Sequence, residues 1–283
     1  MNRINPSRFS YEKGCRIENT TIKSKLSDNE KATGEQIILS LLKKYGYMNM
    51  MHIQRALNMN SHRTINARKS INKMMSRGLV EKYTITYPGD EPDNDVYILS
   101  KNERDKSKNM RSAFRFNMND IPNILEHLSA TQWHISVLEG SGTKDKMFYK
   151  TVPYQKFITQ VPSLIQIRTR LGRRMSICAI PIPKGDRKNK IAALITQIIA
   201  LHGYFSEDID RYGSFVLCLI CESESQIEEV SKLLQQVSET SDFYLIYSLD
   251  CITDDELVDP LSLIYDVERE DGATKLSVFK LRG

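Results

Sequence analysis

Between Thr33 and Leu99 the apolar residues change their spacing once, and that change constrains the fold more than any single motif. From Thr33 onward Ile37, Ile38, Leu41 and Leu42 recur at helical spacing, with Thr33 placed to cap the start and Gly46 to end it. Asn49 can cap a second, short helix whose Met50, Ile53, Ala56 and Leu57 form an apolar stripe, followed by a polar turn at 58–60. Ser61 is expected to cap a third helix that runs to about Arg77 and stops at Gly78, with Ile65, Ile71, Met74 and Met75 on one side. After Gly78 the period becomes two. Residues 79–87 alternate and are rich in β-branched and aromatic side chains, 88–94 carry turn chemistry, and 96–99 are strand-like again, which together predict a β-hairpin.

The outer side of the third helix is polar and basic. Arg63 and Asn66 near its start, and Lys69 and Lys73 a turn or more further on, have the chemistry of base and backbone readout: Arg for guanine, Asn for adenine, Lys for phosphate. Ser61 and Thr64 are placed for phosphate contacts at the helix N-terminus. Three helices followed directly by a hairpin over residues 33–100 resemble the winged-helix DNA-binding domain. That resemblance implies a recognition helix, and the candidate DNA contacts are Ser61, His62, Arg63, Thr64, Asn66, Arg68, Lys69, Asn72 and Lys73. His62 has no second His or Cys at ligand spacing and reads as a polar neighbour, not a metal ligand. The hairpin tip departs from the family pattern: Asp90, Glu91, Asp93 and Asp95 make it acidic where a phosphate-gripping wing is basic.

Charge supports the same direction. Residues 1–116 carry 22 Lys+Arg against 12 Asp+Glu, and residues 117–200 carry 12 against 5, whereas residues 201–283 carry 6 against 18. A basic segment joined to an acidic one raises the expectation of a polyanion partner. Residues 1–32 read as a flexible basic arm with a short ordered piece near Ile17–Ile22, and the charged stretch 101–118 reads as a linker or a solvated helix. No run of 18 apolar residues occurs and the N-terminus lacks a signal-peptide core, so a cytoplasmic protein without a membrane span is expected. The five cysteines are sparse and mostly inside apolar runs, as reduced core thiols would be.

Residues 119–283 read as an α/β domain. A short helix is expected over 119–128, a strand over Gln132–Leu138 pairing with Lys146–Val152, and a hairpin from 163–170 and 174–183. A buried helix follows over Ile191–Leu201, then strand Phe215–Cys221, helix Glu224–Val237, strand Phe243–Leu249 and a last strand Leu276–Leu281. Strand, helix, strand over 215–249 predicts a parallel crossover. Cys218 and Cys221 lie three apart in a strand, so their sulfurs face opposite sides and cannot share an ion. No phosphate-loop or dinucleotide fingerprint is present, and no cofactor is expected.

The order hairpin, helix, strand, helix, strand resembles the restriction-endonuclease-like fold. Joined to a winged helix, it resembles the replication-relaxation family of plasmid and mobile-element proteins, with 33–100 and about 130–265 carrying the likeness. A nuclease of that fold needs carboxylates on the hairpin to hold a divalent ion. Here the strands read Leu164-Ile165-Gln166-Ile167-Arg168 and Ser176-Ile177-Cys178-Ala179-Ile180, without an acid, so a non-catalytic domain without metal is expected. The alternatives are a nuclease using displaced acids such as Asp186 and Glu207, or an adaptor working through its acidic final third. The hairpin is instead rich in cations, and Arg168, Arg170, Arg173 and Arg174, with Lys184, Arg187, Lys188 and Lys190 beyond, are a possible second phosphate-binding patch. The reading is a two-domain α+β or α/β chain that binds double-stranded DNA in plasmid replication, transfer or transcription. A homodimer and a replication or transfer protein partner are expected.

Overall fold

The computed structural model describes residues 7–21, 33–59, 62, 65–89, 93–106, 116–139, 143–155, 157–169, 171–184, 187–237, 243–250, 259–270 and 273–281. The chain is mixed α and β and divides into two compact units: Tyr11–Ile124, and Leu125–Gly283 together with Met1–Ser10. The division falls inside a helix, not within the linker expected over 101–118.

The N-terminal unit contains β1 (Arg16–Asn19), α1 (Thr33–Tyr45), β2 (Tyr47–Met48), α2 (Met50–Met59), α3 (Ala67–Ser76), β3 (Val80–Thr86), β4 (Asn94–Leu99) and α4 (Lys101–Lys106). Its sheet is antiparallel in the order β1-β3-β4-β2. The three longer helices pack on one another, and Ile38, Leu42, Ile53, Leu57, Ile71 and Met74 are completely buried, as the helical spacing predicts. Asn49 caps α2 by accepting a hydrogen bond from the His52 amide at 2.8 Å. At the end of α3 the Leu79 amide reaches back to the Met74 carbonyl at 3.0 Å, a closure that puts Gly78 at φ +67°, where a side chain would be strained.

The ordered piece expected near Ile17–Ile22 is β1, whose Ile17 pairs with Ile85 on the edge of β3. Of the stretch read as a linker or a solvated helix, residues 101–106 form α4, whose Glu103 is buried, and Phe116 packs its ring against Tyr47 and Tyr83. The third helix starts at Ala67, not after Ser61, because Asn66 is its cap, and just before it the Ile65 amide donates to the His62 carbonyl.

The C-terminal unit takes in most of α5 (Ile121–Glu139) and then β5 (Lys144–Tyr154), β6 (Phe157–Arg168), β7 (Arg174–Pro181), α6 (Arg187–Ser206), α7 (Ile209–Tyr212), β8 (Ser214–Cys221), α8 (Glu224–Gln235), β9 (Leu245–Leu249), β10 (Ile264–Glu270) and β11 (Ala273–Phe279). Its seven strands lie in the order β11-β10-β9-β8-β7-β6-β5. Only β7, β8 and β9 run parallel, linked through the helices α6 and α8, as the strand–helix–strand pattern predicts. One face of the sheet packs on α6 and α8 through Leu194, Ile198, Ile227 and Leu234, and the other on α5 through Trp133 and Val137. Cys221 belongs to the first layer and Cys218 to the second. Burial pushes both thiols up, which keeps them protonated.

The strand expected over Gln132–Leu138 is the second half of α5. Residues 127–137 are buried without a break, so this helix has no solvent-facing side there, and Gln132-Trp133-His134-Ile135-Ser136-Val137 alternates polar and apolar, a period of two that reads as a strand. β5 therefore pairs with β6, not with 132–138. The final strand pairs with β10, which the sequence reading omitted.

Just past the carboxyl ends of β7, β8 and β9 lies an internal ion cluster. Lys184 is 3% exposed, and its Nζ sits 3.0 Å from Asp250 Oδ2 and 2.8 Å from Glu222 Oε1. Ser129 donates to Asp250 Oδ2 at 3.3 Å and Ser10 to Glu222 Oε2 at 3.2 Å. Glu126 Oε1 accepts from the Lys184 amide and from Lys190 Nζ, each at 2.9 Å. Lys184 and Lys190 are thus structural ion-pair partners, not members of a hairpin patch. Burial pulls the Lys184 ammonium down, but the Asp250 and Glu222 carboxylates together outweigh it and leave its pKa raised.

Lys184→Met leaves two carboxylates without their cation and should lower the unfolding free energy by about 3–5 kcal/mol, read as a lower urea midpoint at unchanged slope. Because the folded pKa is raised, the contribution of Lys184 is complete below the unfolded-state lysine value and is lost as the pH rises through the folded value. As pH rises from neutral, the wild-type advantage over Lys184→Met should therefore persist until strongly alkaline solution, and a loss already at neutral pH would contradict the assignment.

Candidate nucleic-acid interface

An open groove of about 760 Å³ runs between α2 and α3. Met50, Met51, Gln54 and Arg55 of α2 line one wall, and Ile65, Asn66 and Arg68 at the start of α3 line the other. α3 is amphipathic as expected: Ala67, Ile71, Met74 and Met75 are buried, while Arg68, Lys69, Asn72 and Lys73 are exposed.

The exposed cations of α3 differ in what holds them. Glu35 on α1 is 2% exposed and pairs with the Arg77 guanidinium and, at 3.1 Å, with Lys73 Nζ. Lys73 is therefore an anchor between α1 and α3 and not the free phosphate ligand expected from its spacing. Arg68 and Lys69, in the first turn, have no carboxylate partner among the described residues. Arg68 lies within electrostatic reach of Tyr97 on β4. Burial pushes the Tyr97 phenol up to about 12, Asp95 adds to the shift, and the Arg68 cation opposes it. Among the described residues the first turn of α3 thus carries two cations without a carboxylate partner, beside an open groove that Arg55 also lines.

Asn66, expected to read adenine, is instead the N-cap of α3. Its backbone is extended (φ −78°, ψ 99°) and its Oδ1 accepts the Lys69 amide at 2.9 Å. That commitment takes the side-chain oxygen away from a base edge. His62 is half-buried in the turn, with its amide on the Leu57 carbonyl at 2.9 Å. Ser61, Arg63 and Thr64 lie outside the described residues. Arg55 went unnoticed in the sequence because it sits on the partner helix, and only the groove brings it beside Arg68. On the hairpin, Lys82 Nζ pairs with Asp95 at 2.8 Å, so the acidic strand start is partly matched, and Asp93 is exposed.

In the C-terminal unit Arg168, Arg173 and Arg174 are exposed at the open end of the β6–β7 hairpin, and Arg170 lies outside the described residues. Of the displaced acids, Asp186 lies outside them too, and Glu207 is exposed after α6. Among the described residues no group of three or more His, Cys, Asp or Glu is placed to hold a metal ion, and no helix is long and apolar enough to cross a membrane. A Ser163–His134–Asp145 trio does exist, with Ser163 Oγ 2.7 Å from His134 Nδ1 and His134 Nε2 3.5 Å from Asp145 Oδ1. Ser163 and His134 are completely buried between α5 and the sheet, so the hydroxyl offers no face to a substrate and the trio works as a core network.

No family model matches the chain, and neither a curated protein nor a solved structure matches it.

If Asn66 caps α3, Asn66→Ala should cost about 1 kcal/mol of unfolding free energy while Asn66→Asp retains most of it. Chemical denaturation of both variants decides this, and equal stabilities for the two would remove the cap.

Proposed function

We propose that the chain is a sequence-specific duplex-DNA-binding protein in which α2 and α3 act as a helix-turn-helix and the β3–β4 hairpin as its wing. The observation that carries the reading is the first turn of α3, where Arg68 and Lys69 are exposed without carboxylate partners among the described residues, while the cations further along the helix are tied to Glu35. A major groove admits one helix, and the residues that reach base edges are those at its leading end. In this docking Arg68 is the base reader, because a guanidinium can contact guanine O6 and N7 together, and Lys69 holds phosphate as a point charge. Asn72, one turn on and exposed, is the second candidate reader. The hairpin contributes shape more than positive charge, since Asp95 is paired with Lys82 and Asp93 is exposed.

The C-terminal unit, in this proposal, is a non-catalytic scaffold for a homodimer or for a replication or transfer partner. The winged-helix likeness of residues 33–100 and the layout of the following sheet support a setting in a prokaryotic mobile element. Discrete binding to a fragment of its own source DNA, unchanged by magnesium and without cleavage, is the expected result of a gel-shift experiment.

Replacing Arg68 and Lys69 together by alanine should weaken duplex binding and flatten its salt dependence by up to about 2 in the slope of log K against log salt, each phosphate contact contributing about 0.9. Fluorescence anisotropy over a salt series measures both. An affinity and a slope equal to those of the unaltered chain would reject α3 as the reading helix.

A further inference from the structure

A second set of unmatched cations lies at the opposite end of β7 from the Lys184 cluster. Arg168 closes β6 and Arg174 opens β7, and the two are directly opposite in the antiparallel register. Directly opposed residues share a face, so two guanidinium groups project side by side from the same side of the sheet. On the next strand Lys144 is opposite Gln166, two residues before Arg168, and so faces the same way. All three cations are exposed. They form a row across β5, β6 and β7, and at a strand spacing of about 4.8 Å the row spans roughly 10 Å.

The ground beneath this row is fixed. Gln166 donates to the Arg211 and Tyr212 carbonyls, each at 3.3 Å, and Ser176 donates to the Tyr212 carbonyl, so α7 is pinned to the face from which the row projects. Gly213 follows with φ +72°, and a Cβ there would come within 2.2 Å of the Arg174 carbonyl oxygen, so the chain at the start of β7 packs backbone to backbone. The hairpin end is closed by the Thr169 amide on the Arg173 carbonyl at 2.9 Å. Nearby acids do not neutralise the row. Asp208 uses Oδ1 to accept the Arg211 amide at 3.0 Å, and among the described residues no ion pair joins Lys144, Arg168 or Arg174 to Glu207, Asp208 or Asp210.

Like charges set directly opposite each other destabilise a strand pair, and nothing in the described fold offsets the Arg168–Arg174 opposition. We propose that this row is a phosphate-binding surface for a nucleic-acid backbone, a contact that the C-terminal unit makes independently of α3. Phosphate oxygens accept the parallel N–H bonds of a guanidinium fork, and one phosphate between the two arginines would match both. Lys144 then meets a neighbouring phosphate as a point charge. The row extends the duplex-DNA reading of α3 and shares with it only the class of ligand.

The test uses the full chain and a mixed-sequence duplex, with binding followed over a salt series. Lys144→Gln, Arg168→Gln and Arg174→Gln are combined, both alone and with Arg68→Ala and Lys69→Ala. The triple change should lower the salt slope by about 2 to 3 and weaken low-salt binding by roughly tenfold or more, in both backgrounds. Arg168→Lys with Arg174→Lys, which keeps the charge, should retain the slope. An unchanged slope in the triple variant overturns the row, even where Arg68→Ala with Lys69→Ala weakens binding. Loss through the triple change alone overturns the α3 reading and leaves the row standing. Displacement of duplex by polyglutamate as readily as by unlabelled duplex assigns the row to an acidic polypeptide instead, and absence of duplex binding by the unaltered chain overturns both.

Discussion

One buried carboxylate decides which cations at the C-terminal end of α3 are tied into the fold. Glu35 is 2% exposed on α1, and a carboxylate taken out of water is tolerated only where cations replace its hydration. α3 supplies two, Arg77 and Lys73, from its C-terminal half. Their positive charge also suits that end of the helix, where the last carbonyls carry partial negative charge. Among the described residues the N-terminal half has no such acid paired with it, and Arg68 and Lys69 stay exposed. The helix is thus held to α1 at one end and presents charge at the other, and Asn66 sets where that presenting turn begins.

The C-terminal unit divides its charge by the same logic. In open sheets the carboxyl ends of parallel strands are the usual ligand crevice, because loops diverge there. Here that position is filled from within. Lys184 lies between Glu222 and Asp250, and Glu126 takes up the Lys184 amide and Lys190. The acids at that end are spent on the chain's own cations. At the other end of β7 the cations Arg168 and Arg174 meet only each other across the register. The acidic excess of residues 201–283 therefore does not cancel the hairpin cations, since two of those acids are locked at the far end of the same strands.

Much of this was legible where the local pattern decides the structure. The change of period at Gly78 placed the helix and hairpin boundaries, because the glycine takes φ +67° and the apolar faces on either side are one-sided. The opposed sulfurs of Cys218 and Cys221 followed from period two alone. What failed depended on distant partners. Ser61 and Asn66 are both good caps, and the structure uses the later one. Residues 132–137 alternate polar and apolar side chains, a period of two that mimics a strand, although all six are buried in a helix. Lys184 was grouped with the cations of the hairpin patch since its partners Glu222 and Asp250 are 38 and 66 residues away in sequence. Of the candidate contacts, Arg68, Lys69 and Asn72 keep their exposure, whereas Asn66 and Lys73 have structural duties that a helical wheel does not reveal.

The distinction between matched and unmatched charge also separates folding from binding. Salt screens exposed charges over a Debye length of about 8 Å at physiological ionic strength, and it reaches buried pairs far less. Glu35 with Arg77, and Lys184 with Asp250, are shielded by the protein and keep their Coulomb energy as salt rises. Arg68, Lys69, Lys144, Arg168 and Arg174 stand in water, where displaced counterions set the energy of a phosphate contact. Raising the ionic strength therefore weakens the proposed contacts while both units remain folded, and the salt dependence of binding reports on the exposed cations alone.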